Sequence, residues 1–140
     1  MVALHTGMRM GEILSLRWDT VDLFRRTVTI LRSKNGDKRM IPLNGHMFAL
    51  LKEKLKSRVS SSEWIFPSQV GTKRDGHGLR RAFRKALKTA KIHDFHFHDL
   101  QHTFATRLIQ AGVDLYKVQK LLGHRSPVMT QRYAHHCSES

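Results

Sequence analysis

Residues 98–133 read HDLQHTFATRLIQAGVDLYKVQKLLGHRSPVMTQRY. Leu100, Phe104, Leu108 and Ala111 recur at the period of a helix with one buried stripe. His98 and Gln101 are three positions apart and project together beside that stripe, with His102 near His98. Asp114 is placed to cap a second helix burying Leu115, Val118, Leu121 and Leu122, and Gly123 ends it as a C′ glycine does. His124 follows at once. Ser126-Pro127 restarts the chain as N-cap and first-turn proline, which puts Tyr133 about two turns along a last short helix. Singly, His124 reads equally as a capping or core histidine, and Tyr133 as a core aromatic. The stretch makes the chain mainly helical.

Working outward, residues 79–91 form the clearest amphipathic helix. Leu79, Ala82, Phe83, Ala86, Leu87 and Ala90 fall on one side of the 3.6-residue period, and Arg80, Arg81, Arg84, Lys85, Lys88 and Lys91 on the other. A run of cations with no intervening acid repels itself, and an adjacent phosphate backbone removes that conflict. A solvated basic face is the plainer alternative. Gln69–Gly78 is polar and glycine-rich, a loop; Trp64–Pro67 reads as a short extended anchor, and Ser57–Ser62 as another loop. Asn44 can cap a helix with Phe48, Leu51 and Leu55 on its buried face.

Nearer the start, Thr27–Leu31 is β-branched and predicts a strand. Asn35-Gly36 is a strong hairpin signal, Arg39–Leu43 supplies the returning strand, and Val21–Leu23 is a candidate third. Lys34 sits beside the hairpin tip, where most lysines are simply solvated. In Thr6–Trp18, Met10, Ile13, Leu14 and Trp18 recur at helical spacing. Arg9 and Glu12, three apart, would share a helix face, and the carboxylate could then fix the guanidinium for a phosphate. Such pairs are most often solvated surface pairs.

The chain has 140 residues, one domain's worth, with 25 Lys and Arg against 11 Asp and Glu, a net charge of +14 with all ten His neutral. That excess points to a polyanion, because neutralising phosphates releases condensed counterions. Membrane-surface binding would need a basic helix with an exposed apolar face, which nothing here demands. A lone cysteine, Cys137, excludes an intrachain disulfide and fits a reducing compartment. No apolar run approaches membrane-spanning length, and no signal peptide opens the chain. Zinc is the other question, since His93, His96, His98 and His102 crowd together. The stretch has no His-Glu-x-x-His and no cysteine pair, so neither metal nor cofactor is expected.

Several motifs together resemble the catalytic domain of tyrosine recombinases, the phage integrase family. TGMRMGE resembles the first arginine box, SKNGDKRMIPL the lysine hairpin, HDLQHTFAT the HxLRHTFAT box and LLGH the third box; the nine-residue step from His124 to Tyr133 is the usual one. The resemblance implies an α+β fold, mainly helical with a small antiparallel sheet near the N-terminus. It also implies metal-free phosphoryl transfer. Tyr133 would attack a DNA phosphodiester, leaving a 3′-phosphotyrosyl link and a free 5′ hydroxyl. Arg9, supported by Glu12, and His124 would contact the non-bridging oxygens, His98 would act as general acid or base near Tyr133, and Lys34 would protonate the leaving oxygen.

One position departs from the pattern: Gln101 stands where the family has its second arginine. Glutamine offers an NH₂ donor but neither charge nor rigid fork. The expectation is a domain that binds DNA and cleaves slowly or not at all; the rival is a non-catalytic DNA-binding protein derived from an integrase. The partners expected are double-stranded DNA and self-association on DNA, the tetramer being what the resemblance implies for the full-length family member, with no membrane. Residues 1–140 are expected to be a catalytic-domain fragment, with the N-terminal core-binding domain absent and the C-terminal tail truncated, acting in the cytoplasm at the nucleoid.

Overall fold

Helix α1 (Val2–Thr6) stops at Gly7, whose φ of 70° favours glycine. A Cβ there would lie 2.5 Å from the Phe104 ring and 2.9 Å from Leu122, so the residue also admits the close approach of two later helices. The structure is a computed structural model and describes residues 1–31, 38–58, 62–124 and 127–136. Helix α2 (Met10–Leu14) is shorter than its apolar spacing predicts. Trp18 instead opens a 3₁₀ turn (Trp18–Thr20), because the backbone around it pairs elsewhere: Trp18 donates to Glu63 and Ile65 to Leu16. That pairing is the anchor expected of Trp64–Pro67, and it buries Ile65.

Three antiparallel strands follow in the order β1 (Val21–Asp22), β2 (Thr27–Leu31), β3 (Lys38–Pro42). Val28 faces Ile41 and Ile30 faces Arg39. Side chains alternate along a strand, so Arg39 lies on the same face as the buried Ile41. A cation is thus carried inward by register alone. Asn44 caps α3 (Gly45–Lys56) by accepting the Met47 N–H at 2.9 Å. Met47 and Leu51 are the buried pair. Leu55 is exposed because the last turn runs past the core, and Phe48 lies half-buried beneath the Arg26 guanidinium. The face predicted for this helix is therefore turned by about one position.

Helix α4 (Gly76–Thr89) starts inside the predicted loop, because Asp75 caps it through the His77 N–H. It buries no residue fully. Leu79, Phe83 and Leu87 are half-buried, with Phe83 against Phe95 and Phe97, whereas Ala82, Ala86 and Ala90 are exposed. Residues four apart give one narrow contact line, and the small alanines flank it. Lys91 lies past the helix end with φ 57° and is not part of its basic face.

The C-terminal half packs α5 (Asp99–Gln110), α6 (Leu115–Leu122) and α7 (Pro127–Gln131) around a second core of Ala105, Ile109, Val118, Leu122 and Tyr133. Ala111 is exposed rather than buried, since it falls after the helix end. Leu115 and Leu121 are half-buried, and Gln119 is buried. Gly123 ends α6 with φ 73°, and proline stands first in α7, as expected. Ser126, the expected cap, lies outside the described residues. Tyr133 is not in the last helix. It follows α7 in a turn whose N–H donates to Thr130, ahead of a 3₁₀ turn at Ala134–His136. No described helix is long and apolar enough to cross a membrane.

Candidate active site

Arg9 is the N-cap of α2, with extended backbone (φ −74°, ψ 156°) and an exposed side chain. Because it precedes the helix, the face-sharing expected of Arg9 and Glu12 does not arise. Glu12 reaches back to accept the Arg9 backbone N–H at 2.9 Å, as an N3 carboxylate does. Its side-chain partner is Arg39 from β3: Nη2 donates to Oε1 at 2.8 Å, and Nη1 to Oε2. Burial pushes the Glu12 carboxyl up, but the Arg39 hydrogen bond, the Arg9 N–H and the two guanidinium charges outweigh it and hold it below the usual range.

Arg39 also donates through Nε to the Leu121 carbonyl at 2.9 Å, near the end of α6. His124, just beyond that end, is buried. Its Nδ1 shares a hydrogen bond of 2.7 Å with Thr130 Oγ1 on α7, and its carbonyl accepts from Gln119 Nε2 at 3.3 Å. Two residues past α7, the hydroxyl of the buried Tyr133 is hydrogen-bonded to His102 Nδ1. Burial raises the Tyr133 phenol above its ordinary value, against the opposing Arg132 guanidinium. Burial, with Arg132 adding to it and Asp99 opposing, lowers His102 below its ordinary value, which favours the neutral imidazole. A neutral imidazole nitrogen facing a phenol can take the phenol's proton.

The histidine expected at this hydroxyl was His98. His98 is instead the exposed N-cap of α5; its ring lies edge-on to His102 at 5.6 Å between centroids and stacks on His96 at 5.5 Å. His102 stands one turn further along, where α5 meets the segment after α7. The amide nitrogen of Gln101 is buried and, among the described residues, has no hydrogen-bond partner. An unmet buried donor costs about 1–3 kcal/mol. Lys34 lies outside the described residues, as do Asn35 and Gly36.

Hydrogen bonds thus connect Arg9 through Glu12 and Arg39 to the end of α6, and His124 through Thr130 to the turn that carries Tyr133. Arg80, Arg81, Arg84, Lys85 and Lys88 stand apart on α4, all exposed and, among the described residues, without an ion pair. Among the described residues, those that could hold a metal are His96, His98 and Asp99, whose ligand atoms lie within 4.8 Å of one another. Both histidines are largely exposed with rings stacked rather than converging, and Asp99 already accepts the His96 N–H at 2.7 Å. The His102 contact and Arg39 were missed from sequence. His102 had a local signal, its position one turn after His98; Arg39 had only its place on the inward face of a strand.

The phage integrase family matches residues 1–139. The integrase of Salmonella phage P22 is 36% identical over 95% of this chain and 37% of its own. Tyrosine recombinase XerC of Xanthomonas axonopodis pv. citri (strain 306) is 33% identical over 96% of this chain and 44% of its own. The crystal structure of XerA recombinase superposes with a TM-score of 0.85 at 30% identity, covering 96% of this chain and 50% of that one. The chain therefore spans half or less of the length of these relatives. It belongs to the phage integrase family and has the fold of a tyrosine recombinase catalytic domain.

Proposed function

We propose that this chain is the strand-cleaving domain of a site-specific recombinase acting on double-stranded DNA, impaired at Gln101. The observation that carries the reading is the hydrogen bond between the Tyr133 hydroxyl and His102 Nδ1. On attack, the Tyr133 oxygen bonds to phosphorus and its proton passes to His102. His98, edge-on to His102 and open to solvent, remains the acid or base on the DNA side. The 3′ phosphate stays on Tyr133, and the 5′ oxygen leaves with a proton from Lys34. Arg9 and His124 stabilise the charge gathering on the non-bridging oxygens. The bond energy stored in the phosphotyrosyl link lets another strand's 5′ hydroxyl reverse the step.

Gln101 supplies an amide where the family places a guanidinium, and loss of one donor to a developing oxyanion costs a factor of about 10² to 10³ in rate. Exposed α4 cations, together with Lys91, serve the DNA backbone, and copies of the full-length protein associate as a tetramer on DNA at the nucleoid. A second reading, a non-catalytic DNA binder, is favoured by the buried, unmet Gln101 amide, which brings no charge to a pentacoordinate phosphate.

Covalent trapping on nicked suicide duplexes of random sequence separates the two. The chain, Gln101→Arg and Tyr133→Phe are each tested alone and fused to the N-terminal clamp domain of a related enzyme. Gln101→Arg is expected to form adduct about 10² to 10³ faster than the parent, and Tyr133→Phe none. DNA binding without adduct by every form would establish the non-catalytic reading. Equal adduct from the parent and Gln101→Arg would remove Gln101 as the lesion.

A further inference from the structure

We infer that Arg39 is a positioning residue for the active site, a strut that sets the Arg9 segment and the His124 turn against each other. Its donors go to two places far apart in the chain. Both Nη atoms engage Glu12, 27 residues away, and Nε engages the Leu121 carbonyl, 82 residues away. The side chains of Arg39 and Glu12 are only 10% and 15% exposed, so the pair is poorly placed to meet DNA itself. Each end of the strut stops beside a residue assigned to the phosphate. Glu12 Oε1 holds the Arg9 backbone N–H at 2.9 Å, and the α6 carbonyl lies three residues before His124.

Gly123 makes the arrangement possible. A Cβ there would fall 2.7 Å from Arg39 Nη1 and 3.0 Å from Cδ, and φ is already 73°. The glycine between α6 and His124 thus serves the turn and also clears the path of the guanidinium. A planar fork is needed to satisfy a carboxylate on two atoms while Nε points elsewhere; a lysine ammonium has the charge without that geometry. Misplacing a catalytic group by about 1 Å can cost 10²-fold in rate. A strut bridging Arg9 and His124 therefore acts on the chemical step more than on DNA affinity.

The inference rests on the recombinase reading for its catalytic consequence and on geometry alone for the coupling. The test keeps these separate. In the 140-residue chain, backbone amide and imidazole resonances of Arg9 and His124 are followed in Glu12→Gln, Arg39→Lys and Arg39→Met. Glu12→Gln is expected to shift the His124 signals, and Arg39→Lys to shift both Arg9 and His124 with helical content unchanged. Should Arg39→Met lose the fold, the other two variants carry the same readout. In a Gln101→Arg background, Arg39→Lys is expected to slow adduct formation by about 10²-fold with DNA affinity within twofold of the parent. His124 signals unmoved by both Glu12→Gln and Arg39→Lys would overturn the strut. Unchanged trapping by Arg39→Lys, where the Gln101→Arg parent traps DNA, would overturn its catalytic role. If even that parent forms no adduct, the recombinase reading fails while the resonances still decide the coupling.

Discussion

Two regions of this molecule carry positive charge in opposite ways. Arg39 is nearly buried and engages Glu12 and Leu121 through all three of its guanidinium nitrogens. The α4 cations are exposed, unpaired among the described residues, and carried by a helix that buries nothing fully. A buried cation must be satisfied by its own protein, since an isolated one costs several kcal/mol in lost hydration, so it becomes an instrument of geometry. An exposed cation keeps its water and costs little, so a row of them waits for an external anion. The segments that carry Arg9 and His124 are linked by the first kind of charge. The second kind is open to an external anion.

The contrast breaks most visibly in stability. Arg39→Met leaves Glu12 buried and unpaired and is expected to lower the unfolding free energy by about 3–5 kcal/mol in urea titration. The combined α4 variant Arg81→Gln/Arg84→Gln/Lys88→Gln is expected to change it by no more than about 0.5 kcal/mol per site. Comparable losses in the two would mean that α4 is structural after all.

In DNA binding the order reverses. Each α4 cation that neutralises a phosphate contributes about 0.9 to the slope of log affinity against log salt, so the triple variant should flatten that slope by up to about 2.7. Arg39→Lys should leave it unchanged. A slope indifferent to the α4 substitutions would show that their charge meets water alone.

Acid titration sharpens the buried side. The folded Glu12 carboxyl lies below its ordinary 4.5, so the unfolded chain takes up that proton first. The stability Glu12 contributes is therefore present above 4.5 and lost as pH falls through the folded value. Glu12→Gln should remove that part of the acid dependence in denaturant melts at successive pH values; an identical acid limb in the variant would mean that Glu12 does not set it.

A smaller effect on stability than that of Arg39→Met is expected from Gln101→Met. Gln101→Met removes a buried donor with no acceptor at similar volume, and should leave stability unchanged or raise it by up to about 1 kcal/mol. A clear loss in the thermal melt would show that the amide is satisfied in solution.

The sequence by itself determined what depends on near neighbours along the chain. Asn44 capping its helix, Gly123 closing α6, proline opening α7 and the antiparallel strands all follow from preferences within a few residues. The motif order from TGMR to Tyr133 likewise sufficed for the family. Other details were decided only when distant segments met. Glu12 chose Arg39 over the nearby Arg9 because Arg9 stands ahead of the helix and β3 delivers a guanidinium from 27 residues away. Tyr133 found His102, 31 residues back, because α5 and the turn after α7 pack together. Helix α2 stopped short of Trp18 because a segment some 45 positions later claimed its backbone. Periodicity reports which side of an element is apolar, but the partner of a charged or polar group is fixed by packing between elements, and no local spacing encodes it.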